Sequence, residues 1–216
     1  MSDVKELPVD VETRFLHLEV RASKRSDDQP VIEGVAAVVN QETTISNWFR
    51  EMIAPGAFKR VISENQDVIG CFNHDWGVVL GRTTAKTLRI VETAEGLEYS
   101  IDVNPNDPEA LSVYAKVQRG DVSQSSFAFR VGQEEWYYPE NEKELPLRTI
   151  KEVSELIDVC PVTFPAYPQT SAAVRSKFQT SQEDPAQPHQ AASGDAEGVK
   201  ARQKARRREL ELTERK

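Results

Sequence analysis

Three residues of this chain carry the groups that nucleophilic hydrolysis uses: His74, Ser126 and Asp158. A serine hydroxyl attacks a carbonyl poorly until a base takes its proton. An imidazole titrating near neutrality is well suited to be that base, and an acid holds it in place. Ser126 stands in SSFAFRV (125–131). Alternation there puts Phe127, Phe129 and Val131 on one face and Ser126, Ala128 and Arg130 on the other. Two readings are open for Ser126, a nucleophile or an ordinary strand-edge serine, and neither Gly-x-Ser-x-Gly nor Ser-x-x-Lys surrounds it. His74 closes the apolar stretch DVIGCFNH (67–74), as a proton acceptor or as a satisfied surface or core histidine. Asp158 ends LRTIKEVSELID beside Leu156, Ile157 and Val159. A carboxylate buried there needs a partner, and an imidazolium would serve; an exposed strand-end acid is the alternative. Cys160 is a rival nucleophile, and its plainer reading is a small core hydrophobe, as for Cys71. Chain order alone does not bring any of these groups together.

The elements that must position them fit one domain with a tail. The chain has 216 residues, of which 38% are hydrophobic and 29% charged. Its net charge of −8 argues against nucleic-acid binding by the body of the protein. Two cysteines make no disulfide framework. With no His-x-x-x-His or Cys-x-x-Cys spacing, no metal or cofactor is expected. The N-terminus has no apolar signal-peptide core and no apolar run reaches membrane-spanning length, so a soluble intracellular protein is expected.

Residues 1–13 read as a flexible N-terminus. FLHLEVRA (15–22), with His17 on its polar side, and VIEGVAAVVN (31–40) read as strands. IAPGAFKRVISEN reads as a helix started by Pro55, and VVLGRTTAKTLRIVET with GLEYSIDVN as a hairpin turning at Ala94-Glu95-Gly96. The strongest helix signal is Asn106 or Asp107 as cap, Pro108, Glu109 in the first turn and Gly120 at the end, with Ala110, Leu111, Tyr114 and Val117 as its buried stripe. Strands with two modest helices, rather than regular βαβ alternation, predict a mainly antiparallel α+β or barrel domain. From Gln179 the composition turns to Gln, Ser, Ala, Pro and acid. This predicts a disordered linker over 179–198, followed by a charged tail over 199–216 that includes VKARQKARRR and His189 before it in the linker. Two readings of this tail, whose basic run is opposite in sign to the acidic body, stand: a tether or packaging signal that retains the protein inside an assembly, or a solvated, cleavable end without a role.

NHDW followed by LGRT, GDVSQSSFAF and ELIDVCPVTFPAYPQT, together with EGVAAVVN and IAPGAF, resembles the prohead proteases of tailed bacteriophages over residues 14–178. That family is similar in fold to the herpesvirus assemblins. The resemblance implies a mainly β domain, a closed antiparallel β-barrel flanked by a few helices. It implies a serine endopeptidase that acts inside the immature prohead in the bacterial cytoplasm. Its substrates there would be scaffold, or the scaffolding segment of the major capsid protein, and the protease itself. A homodimer is suggested by the same analogy; a membrane or nucleic-acid partner is not. Carried over by position, the catalytic residues are His74, Ser126 and Asp158. The family's usual glycine after Ser-Phe is Ala128 here, and its usual methionine before the serine is Ser125, an adjacent decoy. The third residue, often Glu, is Asp158, one methylene shorter, and the usual serine two residues later is Cys160. An inactive, protease-like assembly factor is the competing reading, and an intact set of three argues against it.

Overall fold

A computed structural model describes residues 10–16, 20–45, 48–141 and 143–164, except for the side chains of residues 15 and 16. Their order is β1 (Glu12–Leu16), β2 (Arg21–Lys24), β3 (Pro30–Val38), β4 (Thr43–Ile45), β5 (Phe49–Ile53), α1 (Lys59–Ser63), β6 (Ile69–Phe72), β7 (Asp75–Arg82), β8 (Leu88–Glu92), β9 (Gly96–Asp102), α2 (Pro108–Arg119), β10 (Gln124–Tyr137) and β11 (Leu147–Val162). His17, His189, the linker and the basic tail lie outside the described residues. The N-terminal strand begins at Glu12 and has a buried Thr13, inside the segment that composition marks as flexible. No described helix is long and apolar enough to cross a membrane.

Local chemistry explains the helices. The Asp107 carboxylate accepts from the amides of Glu109 (2.9 Å) and Ala110 (3.3 Å), Pro108 opens the first turn, and Gly120 closes α2 at φ 85°. The buried stripe is Ala110, Val113, Tyr114 and Val117; Val113 takes the place expected for Leu111, which is half-buried. Pro55 does not start a helix. Residues 54–57 form a turn closed by the Ala57 amide on the Ala54 carbonyl, with Gly56 at φ 86°, so α1 starts only at Lys59. The β8–β9 hairpin turns where expected, between Glu92 and Gly96.

The strands do not close into the barrel that the resemblance implies. Among the described residues they form a seven-stranded sheet with the path β1-β10-β11-β5-β4 and β6-β7 branching from β11, and a four-stranded sheet ordered β2-β3-β9-β8. The reason lies in β11. One edge pairs antiparallel with β10 along almost its whole length, while the other is shared by two parallel partners. Leu147–Ile150 pair with β5, and Asp158–Val159 pair with β6. A strand whose second edge is divided in this way forks the sheet instead of carrying it round to a closing partner.

The main core packs Ile32, Leu97 and Ile101 of the smaller sheet with α2 against Phe127, Phe129, Ile150 and Leu156 of the larger. Phe127 stacks on Phe129 at 4.8 Å between ring centroids and meets Phe58 edge-on at 6.1 Å. On the larger sheet, charge is buried as well. Arg148, 1% exposed, reaches Glu12 (2.8 Å), Glu51 (2.9 Å) and Glu134 (2.6 Å). Arg14 pairs with Glu51 and Glu12, both at 2.6 Å. The cluster ties β1 to β5, β10 and β11. Burial opposes the Glu12 charge; hydrogen bonds from Arg148 and the charge of Arg14 overcome it, so its carboxyl titrates below the ordinary value.

Removing one partner of such a cluster strands the others in a dry interior. Arg148→Met is therefore expected to lower stability by about 3–5 kcal/mol, read as a urea midpoint shift at constant slope. Because the folded carboxyl of Glu12 is depressed, its contribution is complete above its unfolded pKa and is lost as the pH falls through the folded one. The midpoint difference between wild type and Glu12→Gln should shrink on acidification. A difference that does not depend on pH would contradict the assignment.

Candidate active site

Ser125 and Ser126 are neighbours with opposite fates, because successive side chains of a strand point to opposite faces. Ser125 faces the main core, fully buried, and donates to the hydroxyl of Tyr99 at 2.9 Å. Burial pushes the Tyr99 phenol up, so it stays protonated. Ser126 faces the other way. Its Oγ lies 2.7 Å from His74 Nε2 and 2.9 Å from the carbonyl oxygen of Arg14 on β1. The hydroxyl has one proton, and these two acceptors compete for it. β1 is held beside β10 in register, with Arg14 opposite Phe127, and the buried cluster pins Arg14 from its other end.

His74 is presented by the tightest turn in the sheet. Phe72 pairs with Asp75, leaving Asn73 and His74 as the two central residues of a hairpin, both at positive φ (54° and 58°). This is the turn that matches the twist of paired strands, and its second position favours glycine. A histidine there costs on the order of 1–2 kcal/mol, which the surroundings must offset. Asn73 does so from the neighbouring position. Its backbone N–H donates to the Pro161 carbonyl (3.2 Å), and its side-chain Oδ1 accepts from the Thr163 amide (2.9 Å), clamping the turn to the end of β11.

Asp158 is fully buried, and each of its oxygens has a donor. Oδ1 is 2.8 Å from His74 Nδ1, and Oδ2 accepts from Trp76 Nε1 at 2.9 Å. The shorter acid reaches because the β6–β11 pairing, with Asp158 opposite Ile69, draws the His74 turn onto it. With Nδ1–H donated to Asp158, the lone pair on Nε2 faces Ser126. Burial opposes charge on His74; Cys160 and Asp158 outweigh it, and the imidazole pKa is raised above its ordinary value. Burial pushes the Cys160 thiol well up, so it stays protonated near neutrality. A fully buried thiol kept protonated is in the wrong state to be a nucleophile, which counts against Cys160 in that role.

The geometry thus brings His74, Ser126 and Asp158 together in one hydrogen-bonded chain. Residues 16–184 match the sequence family described as caudovirus prohead serine protease. The chain belongs to that family. It is accordingly a serine peptidase of phage capsid maturation, working in the assembling procapsid. A solved structure similar to it is the capsid assembly protease of bacteriophage T4. That structure is 12% identical, with a TM-score of 0.41 over 71% of this chain and 99% of the other. No curated protein matches this chain.

Sequence reasoning did not find Trp76 or the Arg14 carbonyl. Trp76 was visible only as the last letter of NHDW, two residues beyond His74 near the start of β7. The Arg14 contact had no local signal, since it depends on which strand lies beside β10. Trp76 holds the second oxygen of Asp158 through its indole N–H. Trp76→Phe keeps the ring and removes the N–H, leaving a buried carboxylate oxygen without its donor. A hydrogen bond to a charged group contributes about 1.5–3 kcal/mol, so kcat should fall roughly 10- to 100-fold with KM little changed. A loss confined to KM would show that Trp76 contacts substrate instead.

Proposed function

We propose that this chain is an endopeptidase in which Ser126 is the nucleophile, His74 the general base and Asp158 the residue that orients the imidazole. The observation that carries this reading is the continuous chain Asp158 Oδ1–His74 Nδ1 (2.8 Å) and His74 Nε2–Ser126 Oγ (2.7 Å) inside a prohead protease sequence. His74 Nε2 takes the Ser126 proton as Oγ attacks the peptide carbonyl. Asp158 stabilises the imidazolium that forms, and His74 then returns the proton to the leaving amine. Water attacks the acyl-enzyme by the same route. The substrates are scaffold, or the scaffolding segment of the major capsid protein, and the protease itself, cut within the immature prohead in the host cytoplasm. The protease domain spans about residues 14–178, with a linker (179–198) and charged tail (199–216) behind it. No metal or cofactor takes part in these steps.

The test is to assemble proheads from the phage's own capsid protein and scaffold with and without this chain, and to follow intact masses with time. New amino termini in the capsid protein or scaffold, and in the protease, support the substrate assignment. Unchanged masses in assembled proheads that contain the wild-type chain would overturn it, and would favour an assembly factor without protease activity.

A further inference from the structure

The catalytic scheme leaves two buried thiols beside the site without a role. Asp158 and Cys160 are two residues apart on β11 and share a face. β6 runs parallel with Asp158 opposite Ile69 and Val159 opposite Gly70, which sets Cys71 opposite Cys160 on that same face. One ligand atom from each of Cys71, Asp158 and Cys160 lies within 4.8 Å of the others, and all three residues are fully buried. The two Sγ atoms are 2.7 Å apart, and Cys160 Sγ is 3.6 Å from His74 Nδ1. Both sulfurs are free thiols. The spacing rule that predicts no metal looks for ligands close together in sequence. Here they come as Cys71-x-x-His74 and Asp158-x-Cys160 from two strands, with the cysteines 89 positions apart.

Two thiolates, an imidazole and a carboxylate form a tetrahedral donor set for Zn²⁺ and other thiophilic divalent cations. We propose that Cys71, Cys160, Asp158 and His74 Nδ1 bind a thiophilic divalent cation that reversibly switches the peptidase off. Zinc–sulfur bonds of ~2.3 Å in a tetrahedron separate two sulfurs by about 3.8 Å, so the thiols must part by about 1 Å. The β6–β11 ladder has only two register pairs, which makes the hairpin carrying Cys71 and His74 the part that yields.

The protons balance. Each cysteine releases one proton to solvent as it binds the metal. His74 offers the Nδ1 lone pair to the cation, and its ring proton moves to Nε2. Nε2 then donates to Ser126 and cannot accept its proton, and Asp158 no longer orients the ring. The cation reaches the cluster past the hairpin, where the His74 side chain is 15% exposed.

The inhibition depends on the proposed function; the binding does not, and the experiment separates them. The full chain is reduced, freed of metal and titrated with Cd²⁺ in a Ser126→Ala background, reading the ultraviolet thiolate-to-cadmium absorption. One equivalent of Cd²⁺ should saturate the band, and Cys71→Ala should abolish it. In the active chain, Zn²⁺ should stop cleavage and EDTA should restore it. Cys71→Ala, or the near-isosteric Cys71→Ser should Cys71→Ala misfold, should keep its basal activity and lose Zn²⁺ sensitivity by about ten-fold or more. An absent band, or one unchanged in the cysteine variants, overturns the site. So does an intact mass lighter by the two thiol hydrogens, because the pair would then close into a disulfide instead. A band without inhibition overturns the switch. A metal-free wild type that never cleaves, while the Cd²⁺ band appears, argues against the serine peptidase assignment and not against the site.

Discussion

Ser126→Ala is expected to lower kcat by at least about 10³-fold, while Ser125→Ala leaves it nearly unchanged. The two substitutions remove the same atom one residue apart, so their difference isolates which face of β10 holds the chemistry. Among the described residues, Ser126 Oγ bonds only His74 Nε2 and the Arg14 carbonyl. Ser125 Oγ donates to Tyr99 in the core, and its loss leaves a buried phenol short of a partner, at a stability cost of about 1–3 kcal/mol. The check is an intact-mass time course with substrate, joined to labelling by a serine-directed fluorophosphonate. Wild type and Ser125→Ala should gain one adduct, mapped to Ser126, and Ser126→Ala none. Equal cleavage by both variants would mean that the nucleophile lies elsewhere.

What could be read from the sequence was local. Alternation in SSFAFRV placed Ser126 and Phe127 on opposite faces, and Asn106 or Asp107 with Pro108 and Gly120 marked both ends of α2, because each signal operates within one turn or one pleat. The fork in the sheet was hidden. Whether the second edge of β11 takes β5, β6 or both depends on packing between segments about a hundred residues apart, and no local period records it. The same pairing hid the neighbours of the site. Cys71 read as core because its own strand is apolar; only the register with β11 sets it against Cys160 and Asp158. Glu12 sits in the 1–13 stretch, polar enough to look loose, and Arg14 stands just beyond it. They are buried because Arg148 and Glu51 arrive from other strands to pair with them.

Asp158→Asn should leave a folded protein whose kcat is lower by about 10⁴-fold. The argument rests on counting donors. The carboxylate accepts twice, from His74 Nδ1–H and from Trp76 Nε1–H. An amide offers one oxygen and one NH₂ in the same place. If the oxygen stays with Trp76, the NH₂ faces His74 and stabilises the tautomer with its proton on Nε2. That nitrogen then meets the Ser126 hydroxyl as a donor and cannot take its proton. If the oxygen turns to His74, the NH₂ opposes the indole N–H in a buried pocket, and the imidazolium that must form loses its counter-charge in either case. Asp158→Glu keeps the charge and adds one methylene, so it should retain far more activity than the amide, limited by how well the β6–β7 turn retreats. The measurement is kcat for both variants, together with thermal melts that show each is folded. Asparagine as active as wild type would remove Asp158 from the mechanism. Glutamate as inactive as asparagine would mean that the placement set by Trp76 and the hairpin matters more than the charge.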